Sequence, residues 1–269
     1  ERCRELGVGL HFGAEIGDPS CLRDCDLLVG ADGVHSQLRG LYAPLFGPKL
    51  TLGSNRYIWY GTRAPFDGLT LTFRQRGRDL FMAHSYKYSQ ELSTFIVEVD
   101  ADTWSRLHSL SEEESRHLLE QVFATELRGE PLLSNNSKWI QFTQVQNEHW
   151  WAENMVLLGD SLHTAHFSIG SGTKLAMEDA LALWRTLRDG EDLAAFESSR
   201  RPKLERFLEA ARTSQKWFET VRSRLDLDVL PFCYETMTRS SRVDDDSLRR
   251  RDPEFVARYE AWRAREAQA

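Results

Sequence analysis

Two short, wholly apolar runs constrain this chain more than anything else in it. Asp-Leu-Leu-Val-Gly-Ala at residues 26–31 and Asn-Met-Val-Leu-Leu at residues 154–158 lack the alternation of a half-exposed strand. Each therefore predicts a short buried strand, the first of the parallel kind that helices cover. Between them the pattern changes. Residues 56–63, 70–74, 79–88 and 93–99 are rich in aromatic and β-branched side chains, and Pro65-Phe66-Asp67-Gly68 and Arg76-Gly77-Arg78-Asp79 separate three of them. That is the signature of an antiparallel meander. The chain therefore predicts a mixed α/β class: an α/β part over residues 1–52, an antiparallel sheet inserted over residues 53–150, and a return to α/β with C-terminal helices over residues 151–269.

Local signals fill in this frame. Asp32-Gly33 makes a tight turn before a short helix at 34–41. Ser111, followed by Glu112, Glu113 and Glu114, caps a helix expected to run to about Leu127. Residues 139–145 predict a strand, and 172–189 and 193–224 predict long helices, the second bent or restarted near Pro202. The charged tail predicts helical turns over 253–267. At the start, residues 1–6 predict a helix and 8–12 a short strand. Glu1 falls inside that helical pattern, so the first part of the domain is expected to be missing.

Charge and length narrow the function classes. With 34 Lys and Arg against 41 Asp and Glu, the net charge is −7, a mixed acidic surface that does not favour nucleic acid. No apolar run is long enough to cross a bilayer, and no basic segment followed by an apolar one marks secretion. The four cysteines, Cys3, Cys21, Cys25 and Cys233, have neither a disulfide-framework nor a zinc-site spacing, which predicts reduced thiols, a cytoplasmic location and no metal.

The richest string is Leu158-Gly159-Asp160-Ser161-Leu162-His163-Thr164, followed by Ser168-Ile169-Gly170-Ser171-Gly172-Thr173-Lys174 and a long helix. A carboxylate at the end of a buried strand can accept a hydrogen bond from a sugar-like hydroxyl. Gly170 and Gly172 let backbone amides approach a ligand, and the positive end of the following helix favours negative charge there. The second string, Gly30-Ala31-Asp32-Gly33-Val34-His35-Ser36-Gln37-Leu38-Arg39, delivers Asp32-Gly33 into a turn and Arg39 onto a helix, where it can meet a phosphate or a neighbouring carboxylate. Read alone, it is equally a plain strand–turn–helix.

Together the two strings resemble the downstream fingerprints of the FAD-dependent aromatic hydroxylases, the p-hydroxybenzoate hydroxylase-like single-component monooxygenases. The resemblance implies a three-layer FAD-binding fold with an antiparallel substrate domain. Carried over by position, it implies cofactor contacts at Asp32, Gly33, Arg39, Gly159, Asp160, Gly170, Ser171, Gly172 and Thr173. It narrows further at Asn55-Arg56-Tyr57-Ile58-Trp59-Tyr60-Gly61-Thr62, at Ser93-Thr94-Phe95-Ile96-Val97-Glu98 and at His163-Thr164-Ala165-His166-Phe167-Ser168-Ile169-Gly170. These look like the flavin part of the aryl-CoA hydroxylases, the salicylyl-CoA 5-hydroxylase and anthraniloyl-CoA monooxygenase group. Substrate contacts are then expected at Tyr57, Trp59, His84, His166 and Phe167, with no assigned catalytic side chain.

The resemblance implies a monooxygenase that uses NAD(P)H and O2, through a flavin C4a-hydroperoxide, to hydroxylate a small aromatic substrate carried as a CoA thioester. In that group an FMN-binding barrel often follows. Relatives that hydroxylate indole rings share part of the His-Phe-Ser-Ile-Gly string, and a non-catalytic fragment is a third reading. Two features depart from the wider family: His166-Phe167 replaces a proline pair and Lys174 replaces an asparagine. No G-x-G-x-x-G loop occurs either, so the ADP half of FAD is expected to find no cradle here.

Other residues admit plainer readings. His163 is equally a flavin neighbour or a loop histidine bonded to a carbonyl, and Lys174 is expected to face solvent. The resemblance gives Asp179, beside Glu178, a loop-supporting role. Arg249-Arg250-Arg251 is expected to be solvated, and Trp217 and Phe218 to pack a helix.

Overall fold

The structure of the chain is a computed structural model and describes residues 1–268. In chain order come α1 (Arg2–Glu5), β1 (Leu28–Gly30), α2 (Gln37–Leu41) and α3 (Ala43–Phe46). Long strands follow: β2 (Pro48–Thr62), β3 (Thr70–Arg76), β4 (Asp79–Lys87) and β5 (Ser93–Val99). Then come α4 (Ala101–Leu107), α5 (Glu112–Val122), α6 (Ala124–Leu127), β6 (Leu132–Leu133), β7 (Ile140–Asn147), β8 (Trp151–Ala152) and β9 (Met155–Leu157). The long helices α7 (Gly172–Arg188) and α8 (Leu193–Glu219) precede α9 (Val229–Thr238), α10 (Asp245–Arg251) and α11 (Pro253–Glu266).

The chain divides into two units. The first comprises Glu1–Lys49, Val145–His163 and Thr173–Arg200; the second comprises Leu50–Gln144, Thr164–Gly172 and Arg201–Ala269. The two apolar runs meet in the first unit. β1 and β9 pair in parallel, Leu28 with Met155 and Gly30 with Leu157, and β8 adds an antiparallel edge. Met155, Val156 and Leu157 are fully buried, which is why that run carries no polar alternation. Gly30 is required by packing: a Cβ there would come within 2.6 Å of Leu38 Cδ2 and 2.9 Å of Leu157 Cδ2.

The second unit is built on a six-stranded sheet in the order β3-β4-β5-β2-β6, with β7 also paired to β2. Register fixes its faces. Ile58, Tyr60, Phe81, Ala83, Phe95, Val97 and Val99 point one way and pack with Leu119, Phe123 and Leu127 of the helical segment after β5. On the opposite face, Leu80 and Met82 pack with Trp217, Phe218 and Val221. Trp217 and Phe218 are helix packing, as expected.

Three local expectations change. Residues 8–12 form no strand; Val8, Leu10 and Phe12 are exposed, and a strand without a ladder partner leaves its backbone polar groups unpaired. The helix capped by Ser111 and Glu114 ends at Val122, and the buried Phe123 breaks it from α6. α8 passes through Pro202 without a break. Phe196, Arg200, Leu204, Leu208 and Ala211 are all buried, so a helical stripe continues on both sides of the proline and packing outweighs the lost backbone bond. Among the described residues, no helix is long and apolar enough to cross a membrane, and no group of His, Cys, Asp and Glu is placed to hold a metal ion.

Candidate functional site

In the first unit, the Asp-Gly and Gly-Asp strings leave the carboxyl ends of adjacent parallel strands, where open α/β sheets bind ligands. The Asp-Gly turn is held locally. Asp32 Oδ2 accepts the amides of Gln37 at 2.7 Å and Leu38 at 3.2 Å, and Gly33 adopts φ +80°. Arg39 ties the two strings together. Its buried guanidinium donates to the carbonyls of Ser161 at 2.8 Å and Val34 at 2.5 Å. Burial lowers its pKa, opposed by Asp32. Within the chain its acceptors are backbone carbonyls rather than a neighbouring carboxylate. Asn147 Nδ2 also donates to the carbonyls of Ser161 and Leu162, at 3.3 and 2.6 Å, and the Ser161 hydroxyl donates to Gly30 O at 2.6 Å.

A buried carboxylate anchors the Gly-Asp turn from behind. Asp179 accepts from Gly159 N at 3.3 Å, His163 Nε2 at 2.7 Å and Arg200 Nε at 2.8 Å. This is the loop-supporting role read for Asp179. His163 is bonded to this carboxylate and not to the backbone carbonyl of the plainer reading. Gly159 takes φ +58°, and a Cβ there would stand 3.1 Å from Ala176 Cβ, so the turn and the approach of α7 both require glycine. Lys174 is exposed and pairs with Glu178 at 3.2 Å.

Asp160 stands at the end of this turn, exposed, with no donor to its carboxylate among the described residues. The surrounding chain displaces enough water to raise its pKa, against the influence of His163. Gly170, at φ +59°, and Gly172 have open space where a Cβ would stand. Gly172 and Thr173 open α7, and amides in a first turn precede any helical bond. Each feature by itself suits FAD: the Asp160 acid suits its hydroxyls, and amides beside uncrowded glycines suit its carbonyl oxygens.

In the second unit, the substrate residues expected from sequence come together around Phe167. Its ring centroid lies 4.6 Å from Tyr57, 5.3 Å from His84 and 4.2 Å from His166. Trp59 shares the sheet face of Tyr57 and His84, because its register partner Ile96 also pairs with His84. It is 46% exposed beside buried neighbours.

Both histidines are held from behind. His84 Nε2 lies 3.1 Å from Glu98 Oε2, and Asn55 Nδ2 donates to Glu98 Oε1 at 2.7 Å. Glu98 is fully buried. Burial pushes its pKa up, but the His84 bond, the charges of His166 and His84, and the Asn55 bond outweigh it and hold the carboxyl below its ordinary range. His166 Nδ1 lies 2.8 Å from Ser168 Oγ and accepts the Ser168 amide at 3.3 Å. Ser168 Oγ lies 2.8 Å from Ser214 Oγ, which accepts from Arg239 Nε at 3.1 Å. Burial pushes His166 down to about 4, with Glu98 opposing and His84 and Arg239 adding to it.

Residues 22–209 match the family described as FAD binding domain. The chain belongs to the FAD-binding domain family. FAD is its cofactor. This FAD-binding domain is 41% identical to a salicyloyl-CoA 5-hydroxylase from a Streptomyces species over 100% of the chain and 55% of that protein. It is 38% identical to a protodeoxyviolaceinate monooxygenase from Chromobacterium violaceum over 86% of the chain and 64% of the relative. The chain thus spans little more than half of the first of these proteins. In fold it is similar to the tetrameric form of 2-methyl-3-hydroxypyridine-5-carboxylic acid oxygenase, with a TM-score of 0.65 at 18% identity, covering 89% of this chain and 68% of that one.

Sequence reasoning passed over Glu98, Asn55, Ser214, Arg239 and Asn147. Only Glu98 carried a signal: it is the lone charge in β5, Ser-Thr-Phe-Ile-Val-Glu-Val, where every residue is buried. A charge in such a strand needs partners.

Proposed function

We propose that this FAD-binding domain holds the flavin and the ring of the substrate in an aromatic monooxygenase, and that the substrate is an aryl-CoA thioester such as 2-aminobenzoyl-CoA or salicyloyl-CoA. The gathering of Tyr57, His84 and His166 around Phe167, with Trp59 open on the same face, carries this reading. Flat apolar faces with a few oriented nitrogens suit an aromatic ring bearing polar groups. The 41% identity to a salicyloyl-CoA 5-hydroxylase supports the thioester.

When bound, FAD would supply the chemistry that activates O2 for addition to the ring, with NAD(P)H as reductant. The chain's residues supply placement. Asp160 would hold FAD through one of its hydroxyls, and the amides of Gly172 and Thr173 would suit its carbonyl oxygens. Asp179 and Asn147 fix the Gly-Asp turn, which a displacement of an ångström would spoil. Tyr57, Trp59 and Phe167 flank the substrate ring and exclude water from it.

The decisive assay follows NAD(P)H oxidation by the intact protein with aryl-CoA thioesters, free aromatic acids and free indoles. Stimulation by the thioesters is expected; stimulation by free aromatic acids alone refutes the thioester. The His-Phe-Ser-Ile-Gly string supports a second reading, an indole-type hydroxylase, which stimulation by indoles alone would establish. A third, non-catalytic reading predicts no hydroxylated product with any of them.

A further inference from the structure

The two histidines beside Phe167 are locked in opposite tautomers. An ionised carboxylate only accepts, so His84 turns an Nε2–H toward Glu98, and the neutral imidazole then carries its acceptor on Nδ1. The other chain runs in the reverse sense. Arg239 only donates, so Ser214 Oγ receives from it and gives its own hydrogen to Ser168 Oγ, which gives its hydrogen to His166 Nδ1. His166 Nδ1 is thereby an acceptor already filled, and its proton is on Nε2. Neither His84 Nδ1 nor His166 Nε2 has a hydrogen-bond partner among the described residues. Neither is among the sealed polar atoms, in contrast to His163 Nδ1. The aromatic cluster thus holds two imidazoles of opposite polarity, each fixed by a buried network.

We propose that this pair is the specificity device of the substrate site: it selects an aryl thioester carrying a hydrogen-bond donor, an amino or hydroxyl group, ortho to the thioester carbonyl. His84 Nδ1 accepts from the ring donor, and His166 Nε2–H donates to the carbonyl oxygen. An ortho amino group suits it best, since one hydrogen can stay on its own carbonyl while the other goes to His84. Glu98 and Arg239 are positioning residues that act through the imidazoles. This inference rests on the aryl-CoA reading above.

The test compares the affinities of three probes for the purified protein by calorimetry: 2-aminobenzoyl-CoA, benzoyl-CoA and 2-methylbenzoyl-CoA, the last matching the amino group in size without its hydrogens. The wild type is expected to bind the amino compound about ten- to a hundredfold tighter than either other probe, the ratio set by one unmade buried hydrogen bond. His84→Phe should bring the three within about threefold of one another. Glu98→Gln, which no longer dictates the His84 tautomer, should cut the preference about tenfold. A ratio is read because loss of packing weakens all three probes alike. Equal wild-type affinities overturn the proposal without any variant, as does a preference that survives in His84→Phe. If no aryl-CoA binds at all, the substrate reading itself fails and this one with it; tight but indiscriminate binding overturns this one alone.

Discussion

His166 predicts a specific loss of stability in mild acid. Its Nδ1 accepts from Ser168, Phe142 and Phe167 lie 4.8 and 4.2 Å away ring to ring, and burial lowers its pKa from 6.5 to about 4. The groups facing it are Glu98, which favours the imidazolium, and His84 and Arg239, which oppose it. As pH falls, the unfolded chain takes up a proton at this histidine near 6.5 while the folded chain refuses it until about 4. The stability conferred by keeping His166 neutral is therefore complete above pH 6.5 and lost as pH falls through that window. The full gap is worth about 3 kcal/mol, of which about 2 kcal/mol is lost by about pH 5. Urea unfolding of the wild type and of His166→Asn, measured at intervals from about pH 8 to 5, isolates this contribution, because asparagine keeps an acceptor for Ser168 and does not titrate. The two stability curves should converge by about 2 kcal/mol toward acid. Parallel curves would refute both the neutral imidazole and the directed chain from Arg239.

Three further outcomes follow from the geometry. Asp179→Ala should destabilise the first unit by about 3–5 kcal/mol in urea unfolding, because it strands the buried Arg200 and His163 together; a cost below about 1 kcal/mol would contradict the hub. Gly30→Ala should cost about 1–3 kcal/mol by driving a methyl into Leu38 and Leu157, read as a lower thermal midpoint. Asp160→Ala should weaken flavin binding about tenfold in a fluorescence titration and leave the thermal midpoint of the flavin-free protein unchanged; unchanged binding would exclude its carboxylate from the cofactor.

What the sequence disclosed and what it hid divide along a physical line. The meander was legible because its aromatic and β-branched runs carry their turns between them, and Ser93–Val99 is the strand expected. The run at 154–158 was legible because every position of β9 is buried. Residues 8–12 misled because their apolar content mimics a strand, while strand formation depends on a distant partner that nothing local announces. The bonds of Arg39 were hidden in the same way: its guanidinium donates to Val34 O and, across the sequence, to Ser161 O, which nothing local announces. The directed chain through Ser168, Ser214 and Arg239 joins three distant segments whose residue types are common everywhere, so no spacing could reveal it.

Two buried carboxylates, Glu98 in a strand interior and Asp179 in a helix interior, occupy positions where an apolar side chain would serve stability at least as well. Each touches an imidazole, and a group that only accepts imposes a tautomer that water would leave free. Desolvating such an acid is expensive, so an acid at these places is better explained by what it orients than by the stability it adds. Asp179 orients a turn through Gly159 and His163, and the result is the free carboxylate of Asp160 at its end. Glu98 orients His84 beside an aromatic cluster that already has apolar packing enough from Phe218 and Phe167. The same device thus recurs in each unit at the place proposed for a ligand, where one hydrogen-bonding group of known polarity is required.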